Sequence, residues 1–449
     1  MRALLALVDH VARIFDSRGA IHAFVVAMLL VPLAFGSPLS PGPWHLGAPR
    51  VASGDEPHYL VYLHSILEDG DLDLENNYVS VHRGSDQAGL LATGGALNHH
   101  AVWFVGERRV FWYEIFGAWG KDAEGHPMPL PKEGVDPALL PKVERPWNSP
   151  GLPLLLAPLF LPVRGTSLYE HLAVVLSALA VIGATFFWRM LAERLSTDRR
   201  VVNAALVLAF LGTPVWHYAR SFFSEPYLVF LVTGAYALAF ARQRFVIAGV
   251  FAGMTVFIKP IAGLMVVPIG VMLLADERRR RDALRFAVPV GAFVLANLAT
   301  NTMLYGGPLH SSNKWSWGPF VQSALQMLAH PTRGLLSTAP IVLLAAAGWP
   351  EATQRVRDMR AVVAGCALFF AAIAAYSGWA GGFAYSIRFL VPLMPLFCLG
   401  LVPLLGSSFK RFVMAAGALS ICINALAAIQ YWRAFHQHPF LYFVTATEL

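Results

Sequence analysis

The sequence has 449 residues, of which 56% are hydrophobic and 14% are charged. A soluble domain carries about a quarter charged residues, so this composition excludes an ordinary soluble protein and indicates that much of the surface faces lipid. The formal net charge of +7 comes without an aromatic and basic segment outside the apolar stretches, which excludes nucleic acid as a partner. All three cysteines lie in apolar segments, which argues against a disulfide framework and a thiolate metal site.

The chain divides into four parts. Residues 1–36 predict an N-terminal segment with a first transmembrane helix at 20–36, which stays attached because many more spans follow. Residues 37–166 are a large hydrophilic insertion, whose interleaved aromatic side chains predict a folded extracytoplasmic loop with short interfacial helices. Residues 167–430 predict a transmembrane bundle, and residues 431–449 predict a short extracytoplasmic tail.

The apolar stretches predict an all-α integral membrane protein with about eleven transmembrane helices. These helices are expected at 20–36, 168–188, 201–219, 225–241, 245–258, 260–275, 285–304, 335–350, 361–377, 387–405 and 412–430. The segment 150–162 is apolar but short and contains four prolines. We expect it to form an interfacial helix on the outer leaflet rather than a span.

Arginine-rich short loops set the orientation of the bundle. The basic loops at 189–200, 242–244, 278–285, 355–360 and 410–411 are expected on the cytoplasmic side. Because two successive basic loops flank residues 245–275, the chain must cross the membrane an even number of times between them. The stretches 245–258 and 260–275 are therefore predicted to form a hairpin with Lys259 at its outer tip, rather than one kinked helix.

This topology places most chemically capable residues on one face of the bilayer, opposite the basic loops. Charged groups near the hydrocarbon boundary are costly unless they are paired or hydrated, so they become functional candidates. The residues on this face are Asp55, Glu56, His58, Tyr59, Arg220, Ser224, Glu225, Lys259, Asn313, Lys314, Trp315, Trp317, Trp379, Tyr385 and Arg388.

The acidic candidates each have two interpretations. Asp55 and Glu56 precede Pro57, so they either cap a helix or hold a carboxylate over a cavity as a general base or metal ligand. Glu225 is either a second catalytic carboxylate, a partner of Arg220, or a negative charge that complements a helix N-terminus. The sequence leaves these alternatives open.

The basic candidates Lys259 and Arg388 each lie alone between apolar segments. A single cation in such a place commonly extends towards the lipid headgroups. Two cations on the same face as the carboxylates favour a phosphate site, because arginine binds phosphate through two N–H groups and lysine acts as a point charge.

Two patterns imitate metal sites. The acidic run that starts at Asp69 places Leu74 where an EF-hand needs glycine and Ser80 where it needs glutamate, so a solvated turn is favoured over a calcium or manganese site. The pair His99-His100 lacks the further ligands of a zinc site. The sequence therefore assigns no metal ligands.

Several phrases resemble the bacterial GT-C superfamily of membrane glycosyltransferases, in particular the aminoarabinose and mannosyl transferase type. SGDEPHY at 53–59 resembles the aspartate–glutamate motif of that family. The other phrases, in chain order, are PGLPLLLAP at 150–158, Ser224-Glu225-Pro226, Lys259-Pro260, YGGPLHSS at 305–312, RGLLSTAP at 333–340 and the stretch 379–392. Together they are distributed over most of the chain.

The resemblance implies transfer of a sugar from a polyprenyl-phosphate donor to a cell-envelope glycan or lipid. The reaction would invert the sugar at the periplasmic face of a bacterial inner membrane, with Asp55 as general base. The family varies in its use of metal, so a divalent cation, Mg²⁺ or Mn²⁺, stays open. The candidates are Asp55, Glu56 and Glu225 for catalysis, Lys259, Arg388 and Arg220 for the donor phosphate, and His58, Tyr59, Lys314, Trp317, Trp379 and Tyr385 for the substrates.

The main alternative is a transporter or flippase of a polyprenyl-linked or anionic substrate. Such a protein is expected to carry polar groups at the bilayer midplane and an internal repeat. The sequence shows neither feature, because the predicted spans are nearly free of charge at their centres.

Overall fold

The computed structural model describes residues 17–34, 55–82, 101–105, 108–121, 123, 127–136, 143–166, 168–310, 315–382 and 384–429. Several predictions fall outside these residues. They concern the outer-face candidate Asn313, the substrate-binding candidate Lys314, the pair His99-His100 and the tail 431–449.

Helices make up most of the described chain. The helices before residue 166 are α1 (Arg18–Ala34), α2 (Glu56–His64), α3 (Glu75–His82), α4 (Trp112–Ile115) and α5 (Gly151–Phe160). The later helices are α6 (Tyr169–Ala192), α7 (Arg199–Leu211), α8 (Val215–Tyr218), α9 (Ser224–Tyr236), α10 (Phe245–Ile258), α11 (Gly263–Ala275), α12 (Arg280–Tyr305), α13 (Phe320–Ala329), α14 (Leu335–Thr338), α15 (Pro340–Ala345), α16 (Trp349–Arg355), α17 (Met359–Ala374), α18 (Met394–Phe397), α19 (Leu401–Leu405) and α20 (Lys410–Ile429).

Apolar helical stretches form the bundle. Within the described residues, five of them are long and apolar enough to cross a membrane: Tyr169–Ala192, Ser224–Ala241, Glu277–Tyr305, Arg388–Leu405 and Lys410–Ile429. The shorter apolar helices are Gly19–Leu33, Gly151–Val163, Phe245–Ile258, Pro260–Ala275, Phe320–Ala329 and Met359–Ala374. These stretches fit the predicted helical membrane protein, and the count of eleven spans stays a prediction.

The insertion departs from the predicted all-α fold, because its described part contains short strands. They are β1 (Ala101–Val105), β2 (Arg108–Phe111), β3 (Phe116–Lys121), β4 (Pro127–Pro131) and β5 (Arg145–Pro146). Strand β1 lies between β2 and β5 and is antiparallel to both, and β3 pairs with β4. The all-α prediction was wrong here because β1 reads AVWFV, and branched and aromatic side chains favour a pleated, half-buried surface.

Glu68 attaches the insertion to the bundle. Its carboxylate accepts hydrogen bonds from the Tyr169 hydroxyl at 2.8 Å and the Gly165 N–H at 2.8 Å, and Arg164 Nε lies 3.3 Å away. Burial alone raises the pKa of Glu68, but these donors outweigh it and hold the pKa below its ordinary value. This contact fixes the insertion at the start of α6.

The chain reverses direction at Lys259, between α10 and α11. Lys259 is extended, with φ −150° and ψ 96°, because the ring of Pro260 disfavours a helical conformation for the residue before it. A methyl group added at Gly249 would lie 2.2 Å from the Phe286 carbonyl oxygen, and one added at Gly270 would lie 3.6 Å from the Phe286 ring. Because one residue of α12 touches both helices, α10 and α11 form the predicted hairpin.

Candidate active site

A cavity of about 850 Å³ opens beside this hairpin tip. Its walls come from the start of α2, the segment 147–149 before α5, the turn between α10 and α11, the last turns of α12 and the loop that follows α17. Elements distant in sequence therefore share one chamber at one end of the bundle.

Asp55 and Arg388 form an ion pair inside this cavity. Asp55 Oδ2 lies 3.0 Å from Arg388 Nη2, and the Arg388 side chain is 9% exposed. Asp55 stands at the N-cap position of α2, but its side chain makes no capping hydrogen bond. The carboxylate is directed to the cavity cation, which favours the functional interpretation of Asp55 over the capping interpretation.

Glu225 joins both cations of the site. Its Oε1 atom lies 2.9 Å from Lys259 Nζ and 3.7 Å from Arg388 Nε, and its side chain is 1% exposed. Ser224 donates its hydroxyl to the other carboxylate oxygen at 3.3 Å. Asp55, Arg388, Glu225 and Lys259 therefore form a charge cluster, in which two carboxylates balance two cations.

Aromatic rings hold the two cations in place. Lys259 Nζ lies 4.2 Å from the centre of the Phe389 ring, and the Arg388 guanidinium carbon lies 4.6 Å from the Phe223 ring. Ring faces attract cations, and the attraction grows where water is excluded. Burial lowers the pKa of Lys259, although Glu225 acts in the opposite direction.

Tyr59 completes the polar side of the cavity one turn after Asp55. Its ring packs edge-on against Phe222, with 6.4 Å between the ring centres. Burial, together with the nearby carboxylates of Asp55 and Glu225, raises the pKa of Tyr59 well above its ordinary value. The hydroxyl therefore keeps its proton and is available as a hydrogen-bond donor.

Three candidates lie close to the site in sequence but are absent from the described lining of the cavity. Glu56 is buried and accepts the Phe222 N–H at 2.7 Å. His58 is buried, with Nδ1 2.8 Å from the Tyr78 hydroxyl. Arg220 is 1% exposed. The first two contacts fasten α2 to its neighbours and so position Asp55.

The remaining substrate-binding candidates also lie off the described cavity wall. Trp317 is 80% exposed and packs edge-on against Trp315. Trp379 lies beside His330, with 6.4 Å between the ring centres. Tyr385 is fully buried and donates its hydroxyl to Asn424 at 3.2 Å. Substrate binding by these residues stays a prediction.

The structure adds cavity residues that the sequence candidates lacked. They are Trp147, Asn148, Asn297, Asn301, Tyr305 and Tyr376. Trp315, which the predicted topology placed on the same face, also lines the cavity. Its ring stacks on that of Tyr376, with 4.8 Å between the ring centres. A signal was available for Asn297 and Asn301, because two amides four residues apart inside a span are unusual and lie on one helix face.

The carboxylates of the site are a poor match for a divalent cation. No group of three His, Cys, Asp or Glu residues converges within the described part of the chain. Asp55 and Glu225 already lie at ion-pair distance from Arg388 and Lys259. Mg²⁺ and Mn²⁺ take several oxygen ligands, so we assign them no ligands and no step here.

The fold and site together define a helical membrane protein with a charged cavity at one end of its bundle. No family model and no curated protein matches the sequence. The structure is similar to the crystal structure of ArnT from Cupriavidus metallidurans in the apo state, with a TM-score of 0.49 and 13% identity. The match covers 88% of this chain and 60% of that chain, so this chain spans about three fifths of that protein. At this degree of similarity the match assigns neither activity nor substrate.

Proposed function

We propose that this protein is a membrane glycosyltransferase of the GT-C type, which moves a hexosyl or pentosyl group from a polyprenyl-phosphate donor to a cell-envelope glycan or lipid. One observation carries the proposal. The carboxylate of Asp55 and the cations Lys259 and Arg388 line one cavity, whose wall also contains the apolar residues Ile261 and Leu264. A lipid phosphate needs a cationic binding site beside an apolar surface, and Lys259 and Arg388, here called the phosphate seat, provide one. Sugar transfer also needs a base.

Each charged group has a distinct task in this proposal. Arg388 offers a planar fork of N–H donors and Lys259 offers a compact charge, so together they hold the donor phosphate and stabilise it as it leaves. Asp55 takes the proton of the acceptor hydroxyl. The acceptor oxygen then bonds to the anomeric carbon while the bond from that carbon to the phosphate oxygen breaks, which inverts the sugar and releases polyprenyl phosphate.

Arg388 links the two halves of the reaction, because it contacts the proposed base at 3.0 Å. This contact holds the Asp55 carboxylate in the cavity beside the proposed phosphate site. Glu225 holds Lys259 and Arg388 in the cavity before the donor binds. In this proposal the cavity faces the periplasm from a bacterial inner membrane, in agreement with the basic loops at the opposite end of the hairpin.

A transfer assay tests the proposal. The purified protein in lipid nanodiscs is incubated with polyprenyl phosphate carrying glucose, mannose or aminoarabinose, together with extracted envelope lipids and glycans. We expect transfer from at least one donor, and a loss of about 100-fold or more in Asp55→Asn. The control is Asp282→Asn, whose carboxylate pairs with Arg285 near the basic loop.

Two outcomes would contradict the proposal. The first is the absence of turnover with every donor. The second is movement of a labelled polyprenyl lipid across proteoliposomes without sugar transfer, which would favour the transporter alternative.

A further inference from the structure

Helix α12 continues past the helix on which it packs. The methyl group of an alanine at Gly249 would meet the Phe286 carbonyl oxygen, and one at Gly253 would lie 2.5 Å from the Phe293 ring. Residue numbers increase in the same direction along both helices from the first contact to the second. Helices α10 and α12 therefore run parallel and in close contact. Helix α10 ends at Ile258, whereas α12 continues to Tyr305.

The face that α12 presents changes character where α10 ends. Phe286, Phe293, Asn297 and Asn301 are spaced at seven, four and four residues, which places them along one side of a helix. The rings of Phe286 and Phe293 pack against α11 and α10, respectively, whereas Asn297 and Asn301 line the cavity. Two amides therefore occupy the part of this face that no helix of the described chain covers.

These amides have spare hydrogen-bonding capacity. Asn301 Nδ2 donates to Asn297 Oδ1 at 3.3 Å and to the Pro308 carbonyl at 3.2 Å. Among the described residues, Asn297 Nδ2 and Asn301 Oδ1 have no partner. Only 11% of the apolar part of this helix is buried inside the protein, so most of its surface faces lipid. Polar side chains on the lipid-facing surface would be costly. Both asparagines line the cavity, so the spare donor and the spare acceptor are available there to a bound ligand.

We infer that Asn297 and Asn301 recognise hydroxyl groups of the transferred sugar and so contribute to the choice of donor. The inference rests on the proposed function. A sugar hydroxyl both donates and accepts a hydrogen bond, so two neighbouring hydroxyls match one free N–H group and one free carbonyl oxygen. Lys259 and Arg388 line the same cavity, so a sugar linked to a phosphate in their seat lies within reach of α12.

Binding measurements with bare and sugar-bearing lipids test this inference. Polyprenyl phosphate, bare or carrying glucose, mannose or aminoarabinose, is titrated into the full-length protein in nanodiscs. The variants are Asn297→Leu and Asn301→Leu, which keep the branched shape of the side chain and replace the amide with two methyl groups. Thr302→Val is the control, because Thr302 is exposed and bonds to the Leu298 carbonyl within α12.

We expect each leucine variant to weaken binding of the sugar-bearing lipid about 3- to 10-fold, the value of one or two hydrogen bonds, and to leave the bare lipid unchanged. Asn297→Ala and Asn301→Ala are measured alongside, in case a leucine variant does not fold. The unfolding temperature is followed for every variant.

Three results would overturn the inference. They are equal weakening of both lipids, unchanged binding of every sugar-bearing lipid, and a change in oligomeric mass that shows the amides to join copies of the chain. The proposed function fails separately, when the wild-type protein binds neither form of the lipid. If the wild-type protein binds the bare lipid alone, the phosphate site formed by Lys259 and Arg388 is retained and recognition of the sugar by Asn297 and Asn301 is rejected.

Discussion

Glu225 and Lys259 form an ion pair of 2.9 Å between the first turn of α9 and the tip of the α10–α11 hairpin. The carboxylate is 1% exposed, whereas the lysine side chain is 22% exposed. The pair therefore bridges the interior of the bundle and the cavity. It also keeps an otherwise isolated lysine charge compensated in the absence of a substrate.

Removal of the Glu225 charge is expected to lower stability. Loss of one partner costs about 3–5 kcal/mol in a fully buried pair, and less here because Lys259 is partly exposed. Glu225→Gln should therefore unfold at a lower temperature in detergent, and Glu225→Gln with Lys259→Met should recover part of the loss without recovering transfer. Glu351→Gln is the control, because it removes the exposed pair with Arg355 and should cost less than about 1 kcal/mol. Equal effects of Glu225→Gln and Glu351→Gln would contradict the role of the pair.

The pKa of Lys259 predicts the alkaline limit of donor binding. Burial lowers this pKa from its ordinary value of 10.5, so the charge is present below the lowered pKa and is lost as the pH rises through it. As the pH is raised, binding of bare polyprenyl phosphate should therefore begin to decline before pH 10.5 is reached. In Lys259→Arg the decline should move to higher pH, because arginine stays protonated. A pH profile that is identical in both proteins would count against Lys259 as part of the phosphate seat.

The free energy of unfolding should show the opposite pH trend at Lys259. A lysine with a lowered pKa in the folded state binds fewer protons than it does in the unfolded state, so stability rises with pH across the same window. The two trends separate loss of the phosphate seat from loss of the fold.

Close packing at Gly151 is expected to fix the position of the hairpin tip, and so of Lys259, in the cavity. A methyl group at Gly151 would lie 2.0 Å from the Phe257 carbonyl oxygen, two residues before Lys259. Gly151→Ala should therefore displace the tip and reduce donor affinity and unfolding temperature together. Gly291→Ala is the matched control, because a methyl group there meets nothing within 4 Å and favours the helix by about 0.5–1 kcal/mol. Unaltered donor affinity in Gly151→Ala would show that this contact does not position Lys259.

The proposed orientation of the bundle predicts the accessibility of its basic loop. Arg278 is exposed at the end of the hairpin away from Lys259. A cysteine in Arg278→Cys, with Cys422→Ser as background, should react with an impermeant thiol reagent only after the cells are permeabilised. Labelling of intact cells would reverse the orientation and place the cavity on the cytoplasmic side.

Chelation of divalent cations is expected to leave donor binding unchanged. In the proposed site, Lys259 and Arg388 supply the positive charge that a metal ion would otherwise bring to the phosphate, and the nearby carboxylates are paired with these two cations. Binding of bare polyprenyl phosphate is measured before and after treatment with a chelator. A loss that Mg²⁺ or Mn²⁺ restores would show that a metal ion takes part in the seat.

The sequence predicted which residues share a face better than it predicted their partners. Asp55, Tyr59, Glu225, Lys259 and Arg388 were all placed on the outer face, and the structure brings four of them to the wall of one cavity, with Glu225 buried beside them and paired with Lys259. Helix ends explain this success, because prolines directly after Glu225 and Lys259, and two residues after Asp55, mark the boundaries in the sequence. Their roles in catalysis stay predictions.

The pairing within the site depends on packing that periodicity does not encode. The sequence left Arg220 open as a partner for Glu225, whereas the structure places Lys259 and Arg388 beside it. Asn297 and Asn301 were overlooked because the end of α10 determines their exposure to the cavity. The strands of the insertion were not predicted, because the aromatic residues within them were interpreted only as an indication that the loop is folded.

The contact between Asp55 and Arg388 also has a consequence for biosynthesis. Asp55 belongs to the first part of the chain to emerge after α1, and Arg388 begins one of the last apolar stretches. A partly inserted chain holds one member of this pair without the other. The pair therefore forms only after the late helices have entered the membrane, so the charge arrangement of the cavity is completed at the end of insertion.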